Sequence, residues 1–517
     1  MTKSVHEKSA ETVAADSEVG EVTDSHIQGD HGADSGLVRT LETRHLLMFS
    51  IGSSIGMGLW LGSGTSLVSG GPAAIFIGYW IAGSIAWLLN QSVGELAVLY
   101  PLASAFPQWT RKFVDHSLAL TVGWAYWFNG TITLANEIAA IVTVLRFWDH
   151  TVPIAAWLSI FLVLILLINV CGVRIFGEAE AIMSTVKLLW IVIVIICGIV
   201  ISAGGGPNHK TTGFEYWNSM PFTNGFKGFL SVLGTCIFAM SGSEMAGLVA
   251  AEARNPLKAV PKAVNAIWAR LSLFYILGAL IVSITVSPKD PNLFGGEGVN
   301  ASPFVIAFRN AGIPGLAHAM NAVIFISVFS CGNAQAYGAT RTLVGLAEIN
   351  MAPAIFKTCD KQGRPWYAIF ITFLIGGGLC YLNVNNSGST VFTWFSNLTS
   401  LCTLYVWGMI FTWTWPWGSI YGLFWCVLLV IVEFYLAVWP LHKASSAENF
   451  FANYVSIVAI VGVYIVAKAW YRGPFWIKAT EIDLDSGRRY YAEDVDALKK
   501  KTITKRIVGF FTGDSSI

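Results

Sequence analysis

Charge is scarce in this chain. Only 12% of its 517 residues are Asp, Glu, Lys or Arg, about half the fraction usual in a soluble domain. The net charge of +1 leaves no basic footprint, so a nucleic-acid partner is excluded. The eight cysteines (Cys171, Cys197, Cys236, Cys331, Cys359, Cys380, Cys402 and Cys426) stand singly in or beside apolar stretches. With no paired ligand spacing, neither a disulfide framework nor a metal site is indicated, and no metal or organic cofactor is expected. The N-terminal residues lack the basic start, apolar run and cleavage site of a signal peptide. Residues 1–40 are instead polar and acidic, and read as a disordered tail. No serine has a His and Asp partner set at one depth, so a hydrolytic enzyme is not expected.

Apolar sequence is what the chain has in quantity. Runs long enough to span a bilayer, about 20 residues each, fall near 45–67, 73–100, 119–148, 153–171, 181–202, 227–250, 264–287, 316–346, 366–384, 389–414, 418–440 and 450–471. These predict an all-α polytopic membrane protein with twelve spans, both termini on one side, a membrane domain over 41–472 and a tail over 473–517. With the N-terminus inside, the inner connections carry twelve basic residues (Arg111, Lys112, Arg174, Lys187, Arg254, Lys258, Lys262, Arg270, Arg341, Lys357, Lys361, Arg364) against six outside (Arg146, Lys210, Lys227, Lys289, Arg309, Lys443). That bias predicts cytoplasmic tails.

Two of the spans are interrupted alike. The first reads Met48-Phe-Ser-Ile-Gly-Ser-Ser-Ile-Gly-Met-Gly-Leu-Trp60, and the sixth Ile237-Phe-Ala-Met-Ser-Gly-Ser-Glu-Met-Ala-Gly247. Glycine and serine loosen a helix, and hydrocarbon offers no partner to the freed N–H and C=O groups. A zwitterion does: its carboxylate suits the N–H groups of one half-helix and its ammonium suits the carbonyls of the other. Breaks in spans 1 and 6 match an inverted five-plus-five repeat with two accessory spans. Close packing of two helices through small residues is the plainer reading of either break alone.

The chain resembles the fungal (yeast-type) amino acid transporters of the amino acid–polyamine–organocation superfamily over roughly residues 40–490. The resemblance is carried by Arg44-His45-Leu46, Gly70-Gly71-Pro72, Gly94-Glu-Leu-Ala-Val-Leu-Tyr-Pro101, Tyr126-Trp127-Phe128, Gly177-Glu-Ala-Glu180, Gly242-Ser243-Glu244 and Glu252-Ala-Arg-Asn-Pro256. Within that family it is most similar to the basic amino acid permeases, through Ser302-Pro-Phe-Val-Ile306 and Asn383-Val-Asn-Asn386 among others. It departs from them at Ser241, where they usually carry glutamine, and at Asn129-Gly130-Thr131. A charged loop normally separates spans 10 and 11, yet here Phe411-Thr-Trp-Thr414 runs almost directly into Trp415-Pro-Trp-Gly418.

The resemblance implies a proton-coupled L-amino acid importer of the fungal plasma membrane, working by alternating access. It would use a proton as coupling ion and offer its cytoplasmic tails to trafficking adaptors. The expected site takes the substrate carboxylate on N–H groups around Gly56, Met57 and Gly58, beside Ser53 and Ser54. Carbonyls near Ile51, Phe238, Ala239 and Ser241 would take the ammonium, while Asn129, Glu137 and Thr399 face the side chain. A carboxylate at Glu137 in mid-span costs on the order of 2.5–3.5 kcal/mol on insertion scales, so it faces the interior, as a substrate contact, a proton carrier or a helix-joining group. Lys187 stands where sodium-coupled cousins hold a cation, and either carries the coupling proton or snorkels. Glu95 is expected in an inner-gate salt bridge or helix-end contact, and Glu244 in holding the broken helix. Phe238 and Trp60 are candidate gates; Ser330 and Asn333 are candidate selectivity or ion contacts. Two other readings stay open: a non-transporting amino-acid sensor, and a permease for neutral amino acids or other amines.

Overall fold

The computed structural model describes residues 43–484 except 53–54, 103, 149–150, 172, 249–255, 295–300, 386, 415 and 442–443, together with residues 486 and 488. The N-terminal tail, Ser53, Ser54, the Glu252–Asn255 motif, Trp415 and most of the C-terminal tail lie outside the described residues, as does the side chain of Ile51.

Each of the twelve apolar runs is helical. Span 1 is three segments, Thr43–Gly52, Met57–Trp60 and Gly62–Gly70, and span 6 is two, Gly225–Met240 and Met245–Leu248. Spans 2 to 5 are Pro72–Leu99, His116–Leu145, Ile154–Val170 and Val173–Ser202. Span 7 runs through Pro256–Arg270, a π-helical stretch Leu271–Leu277 and Gly278–Thr285. Spans 8 to 12 are Pro314–Glu348, Trp366–Cys380, Gly388–Phe411, Pro416–Val438 and Ala447–Tyr471. No strand occurs among the described residues, whose one β-bridge joins Leu293 to Ala301.

The packing follows the repeat. Span 5 lies on the first half of span 1, and span 10 on the first half of span 6, while spans 2 and 7 and spans 3 and 8 pair directly. Span 3 is the axis: 83% of its apolar window is buried, against 28% and 22% in spans 11 and 12, which therefore sit at the periphery. Gly71, at φ +91°, turns span 1 into span 2, a conformation that glycine adopts without a Cβ penalty. Large apolar side chains such as Ile182, Leu189, Ile196, Ile431 and Val466 are exposed on spans 5, 11 and 12. On a membrane protein such faces meet lipid tails.

Three of the twelve residues counted as inner basic charges are withdrawn from the surface. Lys187, Arg270 and Arg341 are buried within helices, which leaves nine against six for the orientation argument. The short connection between spans 10 and 11 is firmly packed: Trp413 stacks edge-on against Trp109 at 5.8 Å, and the Thr414 and Ser419 hydroxyls bond at 2.6 Å. Beyond span 12 the chain returns to the loop after span 2. Ile477 N–H donates to the Val114 carbonyl, Tyr100 Oη to the Leu484 carbonyl and Lys112 Nζ to Ser486.

Candidate functional site

The first half of span 1 ends at Gly52, leaving C-terminal carbonyls unpaired by the helix itself. Lys187 answers them from span 5. Its side chain is fully buried, and Nζ donates to the carbonyls of Gly52 at 2.7 Å and Ile55 at 3.2 Å and to Ser330 Oγ at 2.8 Å. The lysine therefore does not snorkel. Ser330 in turn donates to Glu180 Oε1 at 2.5 Å, and Ser184 Oγ to the same oxygen at 3.4 Å. Seven residues separate Glu180 from Lys187, two helical turns, so both share one face of span 5. Arg270, also fully buried, donates Nη1 to the Ser50 carbonyl at 2.8 Å. Two cations thus stand at the C-terminal end of this half-helix, where the backbone dipole favours them.

On the other side of the same break the sign reverses. Met57 N–H donates to both carboxylate oxygens of Glu137, at 3.1 and 3.0 Å. The carboxylate packs against Gly56 so closely that a Cβ there would lie 2.4 Å from Glu137 Oε1 and 2.7 Å from Cys331 Sγ. Sequence reasoning set Glu137 and the Met57 N–H at opposite ends of a ligand; the tertiary structure brings them onto one another. Gly58 likewise meets protein: a Cβ would lie 2.7 Å from Ala239 Cα and 3.0 Å from Phe238 Cδ1.

The second break also has a carboxylate on its N–H side, where Glu244 accepts backbone hydrogen bonds from Gly242 and from its own N–H. The helix ends at Met240, Ser241 is extended, and Gly242 takes φ +84°. Ser241 N–H donates to the Ile237 and Phe238 carbonyls, and Tyr275 Oη to the Ala239 carbonyl at 2.8 Å. The Phe238 and Ala239 carbonyls, both assigned from sequence to a ligand ammonium, therefore already have protein donors. Asn129 Nδ2 donates to Ser241 Oγ at 3.3 Å and to Thr403 Oγ1 at 3.1 Å, and those two hydroxyls are 2.8 Å apart. Thr399, one turn away, gives its hydroxyl to the Phe395 carbonyl of its own helix at 2.7 Å. Thr403 was missed in the sequence; its spacing of four from Thr399, on the same face of span 10, was the available signal.

The other candidates disperse. Asn333 accepts from Asn169 Nδ2 at 2.8 Å and so joins spans 8 and 4. Trp60 packs on Phe304 and Phe274, with ring centroids at 5.1 and 6.5 Å, whereas Phe238 lies edge-on to Phe392 at 5.7 Å and borders Gly58. Glu244 is buried below the second break, beside the Tyr126 hydroxyl, the Trp407 indole and Ser243. Ser243 is tied to span 2 through Asn90 Nδ2 at 3.2 Å. Glu95 is exposed and makes no ion pair among the described residues. The starts of spans 1 and 5 are joined by an ion pair between Arg44 and Glu178, at 2.5 Å and exposed to solvent.

Chemically, the first break holds a buried ammonium and a buried carboxylate on the two ends of one interrupted helix, and the second offers hydroxyl and amide groups. The amino acid permease family model matches residues 45–477. The chain belongs to that family. It is 39% identical over 502 residues to the general amino-acid permease GAP2 of Candida albicans, spanning 92% of this chain and 85% of the relative. It is 36% identical over 510 residues to the cationic amino acid transporter 1 of Schizosaccharomyces pombe, spanning 92% and 86%. Among solved structures, a manganese transporter of Eremococcus coleocola aligns with 88% of this chain and 99% of its own at a TM-score of 0.53 and 14% identity, a likeness of fold alone.

Proposed function

We propose that the chain is a proton-coupled importer of L-amino acids at the fungal plasma membrane, with both tails cytoplasmic and a preference for basic side chains. The observation that carries this reading is the way the first break is satisfied. Lys187 occupies the carbonyl end and Glu137 the N–H end, so the two ends of the break are met by groups of the two kinds, ammonium and carboxylate, that a zwitterionic substrate would bring. A substrate carboxylate that reaches the Met57 N–H must displace Glu137. The displaced carboxylate then either pairs with a cationic side chain of the substrate or takes up a proton, because a bare charge in low dielectric is costly. Lys187 supplies a second proton-carrying group against the same break. The Asn129, Ser241 and Thr403 cluster faces the site with groups that both donate and accept. A basic preference is favoured by Glu137 and by the likeness to the cationic transporter.

The test is uptake of radiolabelled lysine, arginine, leucine and glutamate into proteoliposomes under an imposed pH gradient, with and without a protonophore. Accumulation of lysine that collapses with the protonophore is expected. Binding without uptake would favour the sensor, and leucine uptake without lysine uptake the neutral permease.

A further inference from the structure

One buried carboxylate takes no part in either break. Glu433 is the single charged residue of span 11, a helix otherwise built of apolar, aromatic and small residues. It is only 6% exposed. It lines a cavity of about 360 Å³ bounded by spans 1, 6, 10, 11 and 12, at their ends away from the N-terminal start of span 1. Among the described residues no side chain or backbone group bonds to it. Its carboxylate rests against span 6 at Gly234, where a Cβ would lie 1.9 Å from Oε1, so the glycine is what makes room for it.

With no protein donor, the Glu433 carboxylate is satisfied by what enters the cavity beside it, whether water, a proton or a ligand. The same cavity holds two further acceptors. Thr65 and Ser66 both line it, and the hydroxyl of each is buried with no hydrogen-bond partner. Among the described residues, Lys227 at the rim is turned elsewhere: Nζ donates to the Pro440 carbonyl at 3.2 Å and lies over the Tyr435 ring. Tyr454, the other titratable group beside Glu433, directs its hydroxyl to the Val430 carbonyl at 3.4 Å.

We propose that this cavity is a second binding site, distinct from the two breaks, for a solute bearing a primary ammonium, with Glu433 as its counter-ion. An ammonium carries three donors and no acceptor, which suits one carboxylate and two unpartnered hydroxyls. A divalent metal asks for more carboxylates, and no group of three His, Cys, Asp or Glu residues that could hold one occurs among the described residues. The cavity is also far larger than the ~30 Å³ of a water molecule, so it admits an organic cation rather than a bare ion. Its floor includes Phe392, which meets Phe238 at 5.7 Å and Phe294 at 5.4 Å. That aromatic layer separates the cavity from Gly58 and the breaks. Combined with the transport reading, on which its role but not its existence depends, the site would hold the substrate's ammonium before the aromatic layer opens.

The test uses the full chain in lipid nanodiscs and n-butylammonium as probe, which lacks the carboxylate needed at the Met57 N–H. Calorimetric titration should detect saturable binding. Glu433→Gln should weaken it at least tenfold, Ser66→Ala about threefold, and Glu433→Asp should retain most of it, which guards against a folding defect in the glutamine variant. Gly56→Val, which blocks the first break, should leave butylammonium binding in place while abolishing amino acid uptake. Unchanged affinity in Glu433→Gln, loss of binding in Gly56→Val, or equal displacement by sodium would each overturn the assignment. Glu433-dependent binding in a wild type that imports no amino acid would refute the transport reading and leave this site standing.

Discussion

The two breaks are alike in sequence and unlike in how their backbone is satisfied. In span 1 the freed groups are met by ionisable side chains from neighbouring spans, Lys187 on two carbonyls and Glu137 on the Met57 N–H. In span 6 the Ala239 carbonyl takes a neutral donor, the Tyr275 hydroxyl, and the N–H side is met by Glu244 of the same span. A break held by charges responds to protons and to charged ligands, because removing or adding one charge leaves its opposite uncompensated. A carbonyl end held by a neutral hydroxyl, as in span 6, gains or loses no charge in that way. The carbonyl ends of the two breaks therefore differ, and the proposed coupling role falls to the first.

The largest way to break that comparison is Lys187→Met. Truncating one member of a buried charge set costs roughly 3–5 kcal/mol, so proton-driven accumulation should vanish while the protein, if it reaches the membrane, still exchanges substrate down its gradient. A mutant that concentrates lysine as steeply as wild type under an imposed pH gradient would remove the coupling role. Next in size is Gly56→Val, whose added carbons collide with Glu137 and Cys331. Overpacking of this kind costs about 1–3 kcal/mol, and uptake should be lost with surface expression retained; normal uptake kinetics would sink the assignment of the first break.

Glu137→Gln sharpens the contrast by charge. It keeps the shape and should raise the apparent binding constant for lysine about tenfold or more, some 1.4 kcal/mol, while affecting leucine far less. Equal losses for both would mark Glu137 as a helix-joining or proton-carrying group. At the second break Tyr275→Phe removes one neutral hydrogen bond, worth about 0.5–1.5 kcal/mol. A fall in uptake of about threefold to tenfold with an unaltered pH profile is expected, and a shifted pH profile would contradict the neutral reading of the Ala239 carbonyl end.

The smallest effect should come from Asp360, in the loop before span 9. Its side-chain hydrogen bond with Arg364 holds the carboxyl well below the usual carboxylate range. With the folded value depressed, any stabilisation is present above the ordinary Asp value near 3.9 and is lost only as pH falls towards the folded one. Between pH 5 and 7 Asp360 is ionised throughout. Asp360→Asn should therefore leave the pH dependence of uptake over that window unchanged, and uptake profiles of the two proteins check it.

Much of the fold was legible because the bilayer imposes a one-dimensional code. Twelve apolar runs became twelve helical spans, and the Gly- and Ser-rich interruptions of spans 1 and 6 became the breaks. Glu137 stood out because charge in mid-span is rare, and Lys187 through the family resemblance. Glu433 went unnoticed although the same rule applies to it, since it lies in a span read as accessory. Thr403 and Tyr275 went unnoticed because hydroxyls are common in spans and most bond to their own helix, as Thr399 does.

By itself the sequence determined which segments are apolar enough to cross a membrane, where two of them must come apart, and that Glu137 had to be interior. Transfer free energy and backbone hydrogen bonding act on each segment separately, so these are readable one run at a time. Only the tertiary structure decided that Glu137 lies on the Met57 N–H rather than beside a ligand's side chain, that Lys187 reaches the Gly52 carbonyl, and that Glu178 pairs with Arg44 across the starts of spans 1 and 5. Those pairings depend on the rotation and depth of each helix against its neighbours. That is set by the packing of every other side chain at once, and no local pattern in a single span records it.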